Sequence, residues 1–333
     1  MNKIFVLLIL FSQLDACTRL FWNDNEQAKI VARTMDLFIS DEPQLWVNRR
    51  GVHQQCEIEN GLEWVSIYGS VSISAFHRKD AMTDGLNEAG LAVHTLALKP
   101  TKYEERDDRP GIHYGQWPQY LLDTCKTVEE ALEAHKHFQV VPLSLNYIIW
   151  PLHLMIEDAS GDSAIIEFIE GKIQIYHDKK YQVGTNGPPF DQQLANLKNY
   201  EGFGGVLPSP AGCDSMSRFV LGATYLKELP KPIHTDEAIR LTKQMIERLF
   251  QRENTSVNNG VALTNKVRSV STLWTTIADL THRTYHFLPE NGEEAIHLDF
   301  SELDFSTSDP SPQSSEKTTE LHRGVGRSYV EGK

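Results

Sequence analysis

Leu14-Asp15-Ala16-Cys17-Thr18-Arg19, followed by Val31-Ala32-Arg33-Thr34-Met35-Asp36, is the most informative part of this sequence. Upstream of it, Met1-Asn2-Lys3 supplies one positive charge, and Ile4 to Phe11 (IFVLLILF) is a run of eight apolar residues. Ser12 to Ala16 breaks the run and ends on a small side chain. This pattern predicts a secretory leader over residues 1–16, cleaved after Ala16. The run is shorter than the roughly 20 apolar residues needed to span a bilayer. Cleavage there makes Cys17 the first residue of the mature chain, with a thiol and a free α-amine on one residue. An α-amine, with an ordinary pKa of about 7.7–8.0, can take the thiol proton near neutral pH. A guanidinium beside the sulfur would favour the thiolate, and a carboxylate could hold the amine. Arg33 and Asp36, three residues apart, are the candidates for these tasks. On spacing alone such a pair more often reads as a solvated pair on a strand.

Outward from this stretch, the composition is that of a globular chain. Of 333 residues, 40% are hydrophobic and 23% charged, so a sizeable core can form. The net charge of −13 argues against a nucleic-acid surface or an anionic-membrane binder. After the leader no apolar stretch reaches spanning length, so the mature protein is expected to be soluble, without membrane insertion. The four cysteines, Cys17, Cys56, Cys125 and Cys213, are widely spaced with no CxxC pair, which argues against a tetrahedral metal site. With Cys17 kept free, at most one disulfide can form among the other three. The 13 histidines show no ligand spacing, and His135 and His137 face different directions on a helix. No cofactor or metal is called for. The sequon Asn254-Thr255-Ser256 reads as chance.

Short strands are predicted between residues 20 and 100, at Ala28–Phe38, Leu62–Phe76 and Leu91–Leu98, with Asp84-Gly85 and Glu88-Ala89-Gly90 as punctuation. From Tyr114 to Phe138 the apolar period becomes helical, with a helix start at Thr127. Asn146–Glu157 and Ala164–Tyr176 predict a hairpin around Glu170-Gly171. Helices are predicted at Ser215–Leu229 and Thr235–Gln251, then strands at Val267–Leu280 and Thr284–Leu288. The order of strands, helix, strands, helices, strands is an α+β signature built in layers. The polar tail, residues 306–333, is expected to be disordered.

Further blocks follow in order: Gly85-Leu86-Asn87-Glu88-Ala89-Gly90-Leu91, Leu121-Leu122-Asp123, Asp158-Ala159-Ser160-Gly161, Thr185-Asn186-Gly187-Pro188 with Phe190-Asp191, Ser217-Arg218-Phe219, and Trp274 to Asp279 before Tyr285. Together with Cys17-Thr18-Arg19 and Ala32 to Asp36, this series resembles the choloylglycine hydrolases and penicillin V acylases of the N-terminal-nucleophile superfamily. The resemblance covers nearly the whole mature chain. It implies a four-layer αββα sandwich of two antiparallel sheets over residues 17–305, and hydrolysis of a linear amide. It also implies roles. Cys17 Sγ attacks the amide carbonyl while its α-amine relays the proton. Arg33 and Asp36 hold and polarise the nucleophile, Asn186 donates to the oxyanion, and Arg218 completes the charged cluster. Read alone, Thr-Asn-Gly-Pro is a plain turn.

One departure bears on substrate. Where the family carries a polar or aromatic residue beside the oxyanion site, this chain has Ala97, so a backbone N–H of that strand must serve. The stretch from Asn186 to Arg218 also looks shortened, which would remove part of a loop that helps tetramers form, and leaves homo-oligomerisation open. Both features resemble the Gram-negative-type branch, some of whose members cleave penicillin V or N-acyl-homoserine lactones and act poorly on conjugated bile salts. The expectation is a periplasmic or secreted enzyme acting on a small acyl-amide. The competing reading takes Leu14-Asp15-Ala16-Cys17 as a lipoprotein box, making Cys17 the lipid-attachment site of a membrane-tethered binding protein.

Overall fold

The computed structural model describes residues 17–142, 144–145, 148–251, 270–306 and 319–321. The predicted leader, the sequon at 254–256 and most of the tail lie outside the described residues. Within the tail, Thr319–Leu321 pairs with Gln44–Asn48.

Two large sheets dominate. The first has six strands in the order Val183–Thr185, Thr18–Trp22, Ile30–Leu37, Ser271–Asp279, Thr284–Pro289, Ile296–Asp299. The second has eight, in the order Lys172–His177, Ser163–Ile169, Leu152–Asp158, Leu91–Ala97, Met82–Asn87, Ser70–Ser74, Gln44–Asn48, Thr319–Leu321. Neighbouring strands in both run antiparallel. The helices are α1 (Trp117–Thr124), α2 (Val128–Ala134), α3 (Phe190–Leu197), α4 (Ser215–Glu228) and α5 (Thr235–Glu247). Helices α4 and α5 cover the six-stranded sheet, while α1 and α2 cover the eight-stranded one. This is the αββα sandwich.

Strands buried on both faces explain the sequence. Ile30–Leu37 is buried at every position, so its apolar, threonine and charged residues all face protein. One core cluster fills the space between the sheets and beneath α4 and α5, and includes Phe21, Leu96, Met155, Phe219 and Ile246. A second lies under α1 and α2, around Leu121, Val128, Ile156 and Phe168. The sheets approach closely at Gly184, where a Cβ would stand 2.1 Å from Met155 Sδ.

The helical region predicted from Tyr114 to Phe138 is two helices separated at Cys125. Thr127 caps the second as its sequence implies, accepting from the Glu130 N–H at 3.1 Å. The Glu170-Gly171 turn is also present, with φ of 54° and 74°. Those left-handed angles suit a tight hairpin turn. The hairpin joins Ser163–Ile169 to Lys172–His177, and Leu152–Asp158 pairs on the other side of Ser163–Ile169. Helix α3 and strand Ile296–Asp299 go beyond what the sequence pattern predicts, because each is too short for a periodic signal.

A buried polar chain ties the two sheets together. From the six-stranded sheet, Arg19 pairs with Glu157, its Nε 2.9 Å from Oε2. Glu157 Oε1 lies 2.6 Å from His94 Nε2, and His94 Nδ1 lies 2.6 Å from Asp84. The Tyr285 hydroxyl donates to the other Asp84 oxygen and returns the chain to the first sheet. All five side chains are fully buried, so each charge needs its neighbour. Burial alone would lower the His94 pKa, but Asp84 and Glu157 together raise it to about 9.

Candidate active site

Cys17 sits at the head of strand Thr18–Trp22, between Ile30–Leu37 on one side and Val183–Thr185 on the other. Thr18 pairs with Thr34 and with Thr185. One step beyond that register brings Cys17 beside Met35 and Asn186. The four separated segments that the sequence singles out, at 17, 33–36, 186 and 218, therefore converge because three are neighbouring strand ends and the fourth lies on α4.

The thiol is 4% exposed. Its Sγ lies 4.0 Å from Arg33 Nη2 and 3.9 Å from the backbone carbonyl of Asp36. Burial pushes the Cys17 thiol pKa above its ordinary value, and Arg33 pulls it back. Arg33 Nη2 also donates to the Thr95 carbonyl at 3.0 Å, across the gap between the sheets.

The Asp36 carboxylate faces the helix layer. It accepts from Thr272 Oγ1 at 2.7 Å and Thr34 Oγ1 at 3.1 Å, and lies 3.8 Å from Arg218 Nη1. Burial raises its pKa to about 6 despite Arg218 and the two hydroxyls. Asp36 thus meets the thiol through its main chain rather than its carboxylate. Arg218 Nη1 donates to the Cys17 carbonyl at 2.9 Å and to the Thr18 hydroxyl. Arg33, Asp36 and Arg218 are each at most 1% exposed, so the solvated-pair reading of Arg33 and Asp36 does not hold.

Asn186 is fully buried, and neither its Oδ1 nor its Nδ2 has a partner among the described residues. Its backbone neighbour Gly187 donates to Ser215 Oγ at 3.0 Å, which fastens this segment to α4. An unpartnered buried amide costs free energy unless something else satisfies it.

Above the thiol opens a cleft of about 610 Å³, counting space open to solvent. It lies where two strands part. Leu91–Ala97 and Met82–Asn87 pair through residues 84–86 and 92–94, then separate around Thr83, Thr95 and Ala97. The Leu98 N–H donates to Pro151 on the far side, and His153 pairs with Leu96 there. Alternation along the strand therefore points the Ala97 N–H away from Leu152–Asp158 and toward the cleft. Apart from Arg33 and Asp36, the lining is uncharged, and Phe76, Tyr114 and Trp150 provide its aromatic part. Sequence reasoning misses these aromatics, since they come from three unrelated segments with no motif.

Cys56, Cys125 and Cys213 are free, the first two buried and the third exposed. Among the described residues no group of three or more His, Cys, Asp or Glu converges as a metal ligand set.

Comparison with known proteins agrees with this geometry. The sequence profile described as linear amide C–N hydrolases, choloylglycine hydrolase family, matches residues 17–312. A penicillin V acylase of Pectobacterium atrosepticum is 33% identical over 315 residues, covering 87% of this chain and 82% of that protein. A bile salt hydrolase/transferase of Clostridium perfringens is 28% identical over 193 residues, 56% of this chain and 58% of its own. Among solved structures, the penicillin V acylase from Agrobacterium tumefaciens superposes with a TM-score of 0.76 at 34% identity, covering 92% of this chain and 91% of the other. The conjugated bile acid hydrolase from Clostridium perfringens shares the fold at 19% identity and a TM-score of 0.74, over 95% of this chain and all of the other. This chain therefore belongs to the choloylglycine hydrolase family, and it is a hydrolase of linear amide C–N bonds.

Proposed function

We propose that residues 17–305 form the catalytic domain of an exported amidase whose nucleophile is Cys17, freed at its α-amine by removal of residues 1–16. The observation that carries this reading is the buried Cys17 thiol on the cleft floor with the Arg33 guanidinium 4.0 Å from its sulfur. The Cys17 thiol gives its proton to its own α-amine and Sγ bonds to the amide carbon. The Asn186 amide and the Ala97 N–H donate to the oxygen that becomes an oxyanion. The ammonium then protonates the leaving nitrogen, the C–N bond breaks, and an acyl thioester remains. Water, deprotonated by the same amine, attacks the thioester and releases a carboxylic acid with the thiol restored.

The apolar, aromatic lining favours a neutral, bulky acyl group, because a charged one would be desolvated without a partner. The substrate class is an acyl-amide such as penicillin V or a long-chain N-acyl-homoserine lactone, with conjugated bile salts as poorer substrates. The similarity to the two penicillin V acylases over most of the chain supports this order. The test is a hydrolysis screen over penicillin V, acyl-homoserine lactones of increasing chain length and glycocholate, run beside Cys17→Ser. Cys17→Ser is expected to fold and lose at least about two orders of magnitude on every amide cleaved, because a serine hydroxyl ionises far less readily than a thiol. Parent-like turnover by that variant overturns the nucleophile assignment. Glycocholate as the best substrate overturns the acyl assignment.

A further inference from the structure

Three arginines are fully buried among the described residues, and two of them have carboxylate partners. Arg19 is paired with Glu157, and Arg218 lies 3.8 Å from Asp36. Arg33 forms no ion pair among the described residues, and its Nε and Nη1 have no hydrogen-bond partner there. What lies against its guanidinium is an aromatic face, with Arg33 Cζ 4.6 Å from the centroid of the Trp274 ring.

Local chain geometry accounts for that placement. Strand Ser271–Asp279 pairs with Ile30–Leu37 across an irregularity: Thr272 stands opposite Asp36, but Trp274 stands opposite Met35. The extra residue, Leu273, shifts the alternation by one. Without it, residues 272 and 274 would point to the same face. With it, the Thr272 hydroxyl reaches the Asp36 carboxylate on the helix side, while the Trp274 ring lies against Arg33. The indole is pinned in turn. Its Nε1–H donates to both carboxylate oxygens of Asp41, at 2.9 and 3.1 Å. The Asp41 backbone carbonyl accepts from the Phe76 N–H at 2.6 Å, which links this support to the cleft lining.

We propose that Trp274 is a positioning residue for the reaction: its ring holds the Arg33 guanidinium where a carboxylate otherwise would, leaving the positive charge beside Cys17 Sγ outside any ion pair among the described residues. A carboxylate at that place would anchor the arginine equally well and cancel its field at the sulfur. A tryptophan face attracts the cation through its quadrupole and carries no net charge. Between side chains this deeply buried, that difference is felt at 4 Å. The charged groups that face Sγ are Arg33 and Arg218, which favour the thiolate, and Asp36, which opposes it. Arg33 itself feels the Asp36 and Asp41 carboxylates without forming an ion pair with either.

The inference rests on Cys17 being the nucleophile, and its test reads the sulfur without any substrate. The rate of Cys17 alkylation by iodoacetamide is followed against pH, beside kcat and KM. Replacing Trp274 with a tetrafluorinated tryptophan keeps the shape and the Nε1–H but drains the ring face. The midpoint of the alkylation profile should then rise, and kcat should fall with KM little changed. Trp274→Leu should shift the midpoint further, by about one pH unit, equivalent to about tenfold less thiolate at neutral pH. Trp274→Phe, which keeps a ring but loses the bond to Asp41, should lie nearer the parent. An unchanged midpoint in the fluorinated protein overturns the proposal, even if the leucine variant fails to fold. If Cys17→Ser proved active, the nucleophile assignment would fall, whereas the midpoint shift would still report whether Trp274 governs the charge at Sγ.

Discussion

Arg218 donates from Nη1 to the backbone carbonyl of Cys17 at 2.9 Å, so a side chain of α4 grips the main chain of the very residue that carries the thiol. The same guanidinium reaches the Thr18 hydroxyl and the Asp36 carboxylate. Its Nε is anchored on the Cys213 carbonyl at 3.0 Å. Arg218 thus connects the ends of two neighbouring strands, at Cys17-Thr18 and at Asp36, to a helix about 200 residues further along the chain.

Removing it leaves Asp36 as a buried carboxylate without its ion-pair partner, with only the more weakly acting Arg33 as a cation. Arg218→Gln should destabilise the fold by about 3 kcal/mol, within the range for breaking a buried charged contact. Chemical denaturation measures this. Activity should fall as well, since the Cys17 carbonyl is no longer held. A variant as stable as the parent would show that the 3.8 Å separation from Asp36 carries no weight.

Asn186 behaves oppositely. Its side chain makes no hydrogen bond among the described residues, so Asn186→Ala removes nothing that holds the fold. Thermal stability should be unchanged or slightly higher. The kcat should drop by about 10²–10³, with KM nearly constant, if the amide donates only once the oxyanion forms, as proposed. A large loss of stability with unchanged kcat would make Asn186 a structural turn residue.

The His94 chain gives a pH signature. With its pKa raised from an ordinary 6.5 to about 9, His94 holds its proton in the folded state after the unfolded chain has lost it. The stability this contributes is complete below about pH 6.5 and disappears as pH rises through about 9. Melting temperature should therefore decline between pH 6.5 and 9.5. In His94→Gln the protein should be less stable at pH 6.5 and nearly flat across that interval. A parent profile that is flat there would mean that His94 is neutral in the fold.

How much of this is legible in the sequence depends on whether a feature is local. The thiol, Arg33, Asp36, Asn186 and Arg218 are readable because each sits in a recognisable block, and the strand carrying Arg33 and Asp36 lies within the predicted run Ala28–Phe38, whereas Val183–Thr185 beside Cys17 is too short to show a pattern. The Thr127 cap and the Glu170-Gly171 turn need only neighbouring residues, and both are present as read. The supports are different. Thr95 serves through its carbonyl, which any residue has, and Thr272 and Trp274 acquire opposite directions from one irregularity in strand pairing. No periodicity shows where a ladder slips. The cleft likewise depends on two strands that pair for three residues and then part.

The α-amine of Cys17 is the remaining part of the proposed mechanism, and adding one residue tests it. Among the titratable neighbours of Sγ are two arginines, which stay protonated, and Asp36, which meets the thiol through its main chain while its carboxylate accepts from Thr34 and Thr272. Among the described residues no histidine bonds to the sulfur; His94 is engaged on both ring nitrogens between Asp84 and Glu157. If the amine is the base, an uncleavable alanine ahead of Cys17 leaves the thiol in place but turns the amine into an amide. An amide nitrogen takes up no proton near neutral pH, so the general-base contribution of about 10²–10⁴ should vanish. The extra residue could also block the site by bulk alone, and iodoacetamide separates the two effects. With Arg33 still 4 Å from the sulfur, the thiol of the extended protein should remain alkylatable while amide hydrolysis is lost. A thiol closed to iodoacetamide would assign the loss to obstruction. Full amidase activity in the extended protein would rule out the α-amine as the base and require another proton acceptor within reach of Sγ.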